Sequence, residues 1–282
     1  MAEAWRVGVT AVAGRMGRAL VQAIVAHHPE LQLVAAIGRS GAAYLGEDAG
    51  RLAGIQALGL PVSADLAGAL ADLDALIEFG PAEAALAHVA ACVAAAKPVV
   101  VGTTGFSVTQ RAELENASQY IPLVLAPNMS VGVNVLLAFL PAITAALGEG
   151  YDVEIVEAHH RHKMDAPSGT ALALGRAVAV GRGQHLDDIQ CLDRNGVPGP
   201  RVAGSIGFAT LRGADVVGEH TVWMAGAGER LELTHRAASR LNFAEGALRA
   251  ASWLRGRAPG LYDMQDVLGL KDFAVRLTSN IS

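Results

Sequence analysis

The sequence predicts an α/β fold in which a parallel-sheet domain is joined to a second, α+β domain carrying a mixed sheet. Three observations predict it. Short β-branched runs alternate with Ala- and Leu-rich stretches through the first half. The second half instead carries strands at short spacing after a polar stretch rich in Gly and Pro. The chain has 282 residues, 52% of them apolar, which suits two cores at roughly 100–200 residues per domain.

Taken in order, the apolar runs over 7–10, 31–37, 76–79, 99–101 and 123–125 read as buried strands. The longer stretches over 16–26, 82–96 and 109–119 read as helices. Strand and helix alternating at this rhythm give a parallel sheet with helices on its faces. Beyond it, 153–158 reads as a strand, 170–180 as a helix and 182–201 as a long loop. Strands over 205–210, 219–224 and 230–235 follow, then a helix over 243–254. Periodicity alone leaves open whether this last helix belongs to the first domain or the second.

Composition excludes several classes. Lys plus Arg is 22 and Asp plus Glu is 27, a net charge of −5, without the basic footprint of a nucleic-acid binder. Charged residues at 17% and a high apolar content exclude disorder. Cys92 and Cys191 form no paired motif, which fits a reducing compartment. No apolar run of about 18 residues suggests a membrane span, and residues 1–6 do not open a signal peptide. The expectation is a soluble, cytoplasmic protein.

The first predicted strand runs into Ala11-Val12-Ala13-Gly14-Arg15-Met16-Gly17 and then a helix. A dinucleotide fingerprint needs glycines here for a tight turn, for close backbone approach to pyrophosphate and for close packing of helix on strand. Ala11 and Ala13 take the first two glycine places, and Gly14 and Gly17 keep theirs. An ordinary strand-to-helix turn is the alternative. The second strand ends Gly38-Arg39, without the acid that bonds the ribose of NAD; a neutral residue beside an arginine suits a 2′-phosphate instead. Gly102-Thr103-Thr104-Gly105-Phe106 and Pro127-Asn128-Met129-Ser130 stand at later strand ends, where open α/β sheets bind ligands. The first is otherwise a plain turn, and the second a helix start near residue 131. On the dinucleotide reading this is a Rossmann-like nucleotide domain taking NADPH, NADH or both; on the other these loops are plain turns.

Three histidines crowd the stretch from Glu154 to Ala171: His159, His160 and His162, with Lys163 next to them. Histidine titrates near neutrality and suits proton donation. Ser168-Gly169-Thr170 offers hydroxyls and backbone N–H groups at a helix start, an anion site. Together they describe a pocket for an anionic small molecule that is to be protonated. A surface charge cluster and a metal site on the histidines are the alternatives. The spacing matches no zinc pattern, so no metal ligand is assigned.

Glu-x-x-Glu-x-His-x-x-x-Lys-x-Asp-x-Pro-Ser-Gly-Thr-Ala over 154–171 resembles the signature of the 4-hydroxy-tetrahydrodipicolinate reductases, formerly dihydrodipicolinate reductases. The resemblance extends through Gly14 to Gly17, Gly102 to Phe106, Asn128 to Asn134, Ile206 to Leu211 and Gly218-Glu219-His220-Thr221, nearly the whole chain. It implies an enzyme of lysine and diaminopimelate synthesis that reduces a cyclic imine dicarboxylate with NADH or NADPH. It also implies a dinucleotide-binding domain, 1–129 with a returning C-terminal segment 240–282, and a substrate-binding and oligomerisation domain, 130–239, whose sheets build a homotetramer. Carried over, His159 is the proton donor and Lys163 its partner. The substrate ligands are His160, Lys163, Gly169 and Thr170, to which Ser168 and Thr104 are added as candidates. The cofactor contacts are Ala11, Val12, Ala13, Gly14, Arg15, Met16, Gly38, Arg39, Gly102, Thr103, Thr104, Ala126, Pro127, Asn128 and Met129. Three positions depart from the family pattern: Ala11 replaces its first loop glycine, Gly38 replaces an acid common there, and Phe79-Gly80-Pro81 replaces Phe-Thr or Phe-Ser. The reaction requires hydride and proton donors to meet, so hinges are expected near 128–132 and 240. A metal-dependent hydrolase and a non-catalytic nucleotide sensor are the rival readings.

Overall fold

A computed structural model describes residues 4–194, 196 and 199–271. The elements run β1 (Trp5–Val9), α1 (Arg15–His27), β2 (Leu31–Ile37), α2 (Ala49–Leu52), β3 (Val62–Ser63), α3 (Leu66–Ala69), β4 (Ala75–Glu78) and α4 (Ala82–Ala94). Next come β5 (Val99–Val101), α5 (Val108–Ala117), β6 (Pro122–Leu125), α6 (Val131–Leu147), β7 (Asp152–His159) and α7 (Gly169–Gly181). The chain continues with α8 (Leu186–Ile189), β8 (Gln190–Cys191), β9 (Ile206–Arg212), β10 (Gly218–Gly226), β11 (Glu229–Ala237), α9 (Leu241–Trp253), β12 (Gly260–Tyr262) and α10 (Met264–Leu268). The described residues divide into two compact units, 4–131 with 240–268 and 132–239 with 269–271. The prediction placed 130–131 in the second domain and 269–271 in the first, where the structure has the reverse; residues 272–282 of the predicted first domain lie outside the described residues.

The first unit holds a seven-stranded sheet in the order β12-β6-β5-β4-β1-β2-β3, parallel throughout. Every residue of β4 and β5 is buried, as strands covered on both faces require. One face packs Val7, Val9, Val100 and Val124 against Leu20 and Ile24 of α1 and Ala247 and Leu248 of α9. The other packs Leu76, Val99 and Leu123 against Val89 of α4 and Leu114 of α5. Each such fully buried side chain contributes roughly 1.5–3 kcal/mol. The strand order reverses between β1 and β4, so the crevice for a ligand opens at the carboxyl ends of those strands. Gly246 of α9 brings its helix onto the loop after β6: a Cβ there would stand 1.8 Å from the Met129 carbonyl oxygen.

The second unit holds a five-stranded mixed sheet in the order β11-β10-β7-β9-β8. β7 runs parallel to β9 and antiparallel to β10. Val153 and Ile155 of β7, Ile206 of β9 and Val222 and Met224 of β10 pack with Leu140 of α6 and Leu174 and Val178 of α7. Alternation sends Val156, Thr221 and Trp223 to the opposite face. Within the predicted loop over 182–201, α8 and β8 are ordered. Buried Leu186 anchors α8, with Asp187 and Asp188 in its first turn, where acids favour a helix start. β8 exists only by pairing with β9. Among the described residues no helix is long and apolar enough to cross a membrane.

Gly246→Ala is expected to cost about 1–3 kcal/mol through overpacking against Met129, lowering Tm by roughly 2–10 °C. Thermal unfolding of parent and variant checks this, and an unchanged Tm contradicts it.

Candidate active site

In the first unit the predicted loops meet at the carboxyl ends of β1, β4, β5 and β6. Ala11 has φ 47°, the left-handed conformation that glycine adopts most readily. The turn therefore persists with alanine in the glycine place, and Val12 is buried beside half-buried Ala13. Gly17 is needed for packing, since a Cβ there would stand 2.5 Å from the Ala11 carbonyl oxygen. Gly14 caps α1 with no side-chain bond and no acid in the first turn. The helix start formed by Gly14, Arg15 and Met16 thus suits a pyrophosphate. These residues fit a nicotinamide dinucleotide.

A cavity of about 490 Å³ is lined by Met16, Phe79, Gly80, Pro81, Gly102, Thr103, Thr104, Pro127, Asn128, Met129 and Phe243. Buried Ala126 lies behind it at the end of β6. Thr103 Oγ1 donates to the Gly80 carbonyl, 2.9 Å, and ties two rim loops together. Gly102 admits the Phe79 ring, which a Cβ would meet at 2.3 Å. Gly38 and exposed Arg39 stand apart from this cavity, at the end of β2. Phe79 and Phe243 were not assigned from the sequence.

In the second unit the site is built on β7. Glu157 and His159 are two residues apart on one strand and so share a face. Sheet register sets Thr210 and His220 beside Glu157, and Arg212 beside His159. Glu157 is 1% exposed. Arg212 donates to both its oxygens, at 2.8 and 2.9 Å, and the Ser168 N–H donates at 3.1 Å. His159 Nδ1 lies 2.6 Å from Glu157 Oε2. Burial alone would raise the Glu157 carboxyl, but the bonds from Arg212 and His159 hold it below the usual carboxylate range. An ionised carboxylate only accepts, so in neutral His159 the proton sits on Nδ1. The other ring nitrogen faces Gly218, where a Cβ would stand 3.1 Å from it.

Burial pushes the His159 imidazole below its ordinary value; the Glu157 bond and charge offset part of this, and the Lys163 and Arg212 charges add to it. His220 packs edge-on against the His159 ring, 5.1 Å between centroids, and shares a 3.0 Å hydrogen bond with Ser168 Oγ. Burial pushes His220 down to about 4, with the His159 charge acting in the same direction. Ser168 Oγ also accepts from the Ala171 N–H and caps α7. Gly169 is exposed, with no atom within 4 Å of where a Cβ would stand, so this helix start is open at Gly169, and a helix start suits an anion.

Lys163 Nζ pairs with Asp165, 2.9 Å, and the Lys163 N–H donates to the His160 carbonyl. Arg212 Nη2 also donates to the Asp165 carbonyl, 2.7 Å, which fixes the 160–168 loop onto β9. His162 is exposed, 6.2 Å from the His160 ring. Among the described residues no three His, Cys, Asp or Glu side chains are grouped to hold a metal ion. Glu157, Arg212 and His220 were given no role by the sequence reading. The spacing of Glu157 and His159 on a strand could have pointed to the first. The other two needed the sheet register.

A Rossmann-type nucleotide unit, with a second unit that anchors a histidine on a buried carboxylate, defines a nicotinamide-dependent oxidoreductase. Comparison with known proteins narrows the class. Residues 5–129 match the model for the N-terminus of dihydrodipicolinate reductase, and 132–268 match the model for its C-terminus. The chain belongs to the dihydrodipicolinate reductase family. It is 52% identical over 266 residues to the 4-hydroxy-tetrahydrodipicolinate reductase of Methylococcus capsulatus, spanning 94% of this chain and 98% of that one. The namesake protein of Thiobacillus denitrificans is also 52% identical, over 94% of this chain and 99% of its own. The dipicolinate-bound dihydrodipicolinate reductase from Paenisporosarcina sp. TG-14 shares the fold, with TM-score 0.74 and 23% identity over 92% of this chain and 97% of that one.

His220 has a folded-state pKa below its unfolded value, so its contribution to stability is complete above pH 6.5 and is lost as pH falls toward 4. The loss is on the order of 3 kcal/mol. Urea unfolding of the parent between pH 7 and 4 is expected to show this component and His220→Gln to lack it. Identical pH dependence in the two proteins contradicts the assignment.

Proposed function

We propose that this chain reduces 4-hydroxy-tetrahydrodipicolinate to tetrahydrodipicolinate in lysine and diaminopimelate synthesis, with His159 as proton donor and NADPH as the favoured cofactor. The observation that carries this reading is the His159 ring, fixed at Nδ1 by buried Glu157 in the unit that also opens the α7 start to an anion. Relatives at 52% identity are 4-hydroxy-tetrahydrodipicolinate reductases, which points to the substrate, and family membership favours this reading over a metal-dependent hydrolase or a nucleotide sensor.

Loss of the substrate hydroxyl as water leaves a conjugated imine. Met16, Gly102, Thr103, Thr104, Ala126, Pro127, Asn128 and Met129 would hold a nicotinamide, whose chemistry would be donation of a hydride to the ring carbon. His159 then gives the proton from its outer nitrogen to the developing enamine, and Glu157 stabilises the imidazolium before transfer. Lys163, His160 and the Ser168-Gly169-Thr170 helix start bind the carboxylates and spread the developing negative charge. Fixed donors aimed at developing charge are usually the largest catalytic contribution. The first unit is assigned to the dinucleotide and the second to the substrate. The open face of the second sheet, with Val156, Thr221, Trp223 and exposed Leu211, is assigned to a homotetramer interface. Two free cysteines suit a cytoplasmic enzyme.

His159→Gln is expected to lower kcat about 10²–10⁴-fold with a smaller effect on KM. It should also abolish the fall of activity as pH rises past the His159 pKa, which lies below the ordinary imidazole value. Near-parental kcat with an unchanged pH profile would remove His159 as donor.

Lys163→Ala should raise KM and lower kcat together, because its charge faces both ground state and transition state. Pyridine-2,6-dicarboxylate should compete with substrate in the parent and inhibit the variant poorly. Equal inhibition would take Lys163 out of the pocket.

For the cofactor, kcat/KM with NADPH is expected to equal or exceed that with NADH in the parent. Arg39→Ala should weaken NADPH by about 1.5–3 kcal/mol more than NADH. A parent with a strong NADH preference, unchanged by Arg39→Ala, would sink the cofactor reading.

A further inference from the structure

The end of β2 is closed by an aromatic ring. Gly38 is half-buried and is not among the glycines of positive φ, so a side chain there would be acceptable to the backbone. Space forbids it. A Cβ on Gly38 would stand 2.5 Å from Tyr44 Cε2, 3.0 Å from Val62 Cγ1 and 3.4 Å from Leu45 Cδ2. The Gly38 backbone cannot easily retreat, because its N–H donates to the Ser63 carbonyl at 2.8 Å across β2 and β3. Nor is the ring a loose surface group, since Tyr44 packs on the cluster formed by Val12, Ala36, Ala49 and Val62. Its hydroxyl accepts from the Arg39 N–H at 3.2 Å and keeps its own proton to donate. The Arg39 side chain extends into solvent from the same turn.

We propose that Tyr44 is the residue by which this chain selects a 2′-phosphorylated dinucleotide. Its ring fills the place at the strand end where a carboxylate would bond the ribose hydroxyls and repel a phosphate. Its hydroxyl donates to the 2′-phosphate that the Arg39 guanidinium pairs with, whose planar fork suits a phosphate. Position 38 is therefore glycine because position 44 is tyrosine, and changing Gly38 alone does not create an NADH site. The proposal rests on the NADPH reading above.

The test uses the full chain and measures Kd for NADPH and for NADH by nicotinamide fluorescence, with Tm for each protein. Tyr44→Phe keeps the ring and removes the hydroxyl. It is expected to weaken NADPH about tenfold while leaving NADH affinity and Tm near the parent's. Gly38→Glu should lower Tm, or fail to fold, and weaken both cofactors. Gly38→Glu with Tyr44→Leu should recover Tm and bind NADH the tighter of the two, a non-additive pair as contacting residues require. A parent that binds NADH more tightly overturns the cofactor reading and the proposal with it. A parent that prefers NADPH, with a Tyr44→Phe variant of the same NADPH-to-NADH ratio, overturns the proposal alone. So does Gly38→Glu with the parent's Tm and a new NADH preference.

Discussion

The second unit is organised around one buried negative charge. Glu157 sits in the middle strand of the five-stranded sheet and holds groups from three segments of the chain: β7, β9 and the start of α7. Arg212 reaches it from β9, His159 from its own strand, the Ser168 N–H from the start of α7, and Thr210 Oγ1 at 3.4 Å. A buried carboxylate without partners is strongly unfavourable, and removing one partner of such a pair typically costs about 3–5 kcal/mol. The geometry is thereby over-determined. The imidazole cannot turn without breaking the Nδ1 bond, and the helix start cannot drift without losing both the Glu157 contact and the Ser168 cap. Arg212 extends the same control to the 160–168 loop through the Asp165 carbonyl. One carboxylate thus sets the positions of the His159 ring, the start of α7 and the loop that carries Lys163.

The first unit obtains its geometry from close approach. Gly17 lets α1 meet the loop after β1, Gly102 admits the Phe79 ring, and Gly246 brings α9 onto Met129. Each contact leaves no room for a methyl group, so the rim loops are placed by packed backbone and ring atoms. Glu78 repeats the logic of Glu157 on a smaller scale: fully buried at the end of β4, it pairs with His88 of α4 and accepts from the Gly80 N–H. Gly80 in turn receives Thr103.

Much of this was legible in the sequence because it depends on local pattern. The strands at 31–37 and 99–101 coincide with the predicted runs, and helix α7 begins one residue before its predicted start because Ser168 caps it. The Ser107 and Gln110 capping box likewise starts α5 one residue early. What the sequence concealed depends on long-range pairing. β8, β12 and β3 are two or three residues long and exist only as neighbours of longer strands. Within the site, the histidine-rich loop and the glycine turn were visible as composition. Arg212 and His220 lie more than fifty residues beyond Glu157 in the sequence and reach it only through register. Tyr44 was hidden for the same reason: nothing local says that a ring six residues on will fill the space beside Gly38.

The central claim is that Glu157 fixes the tautomer of His159 and so leaves the outer nitrogen as the one free to carry the proton of the proposed reaction. ¹⁵N NMR of the labelled imidazole, recorded above the pKa of His159, reads that tautomer directly. The structure predicts a neutral ring with its proton on Nδ1 and a bare Nε2. A neutral His159 carrying its proton on Nε2 would contradict the account.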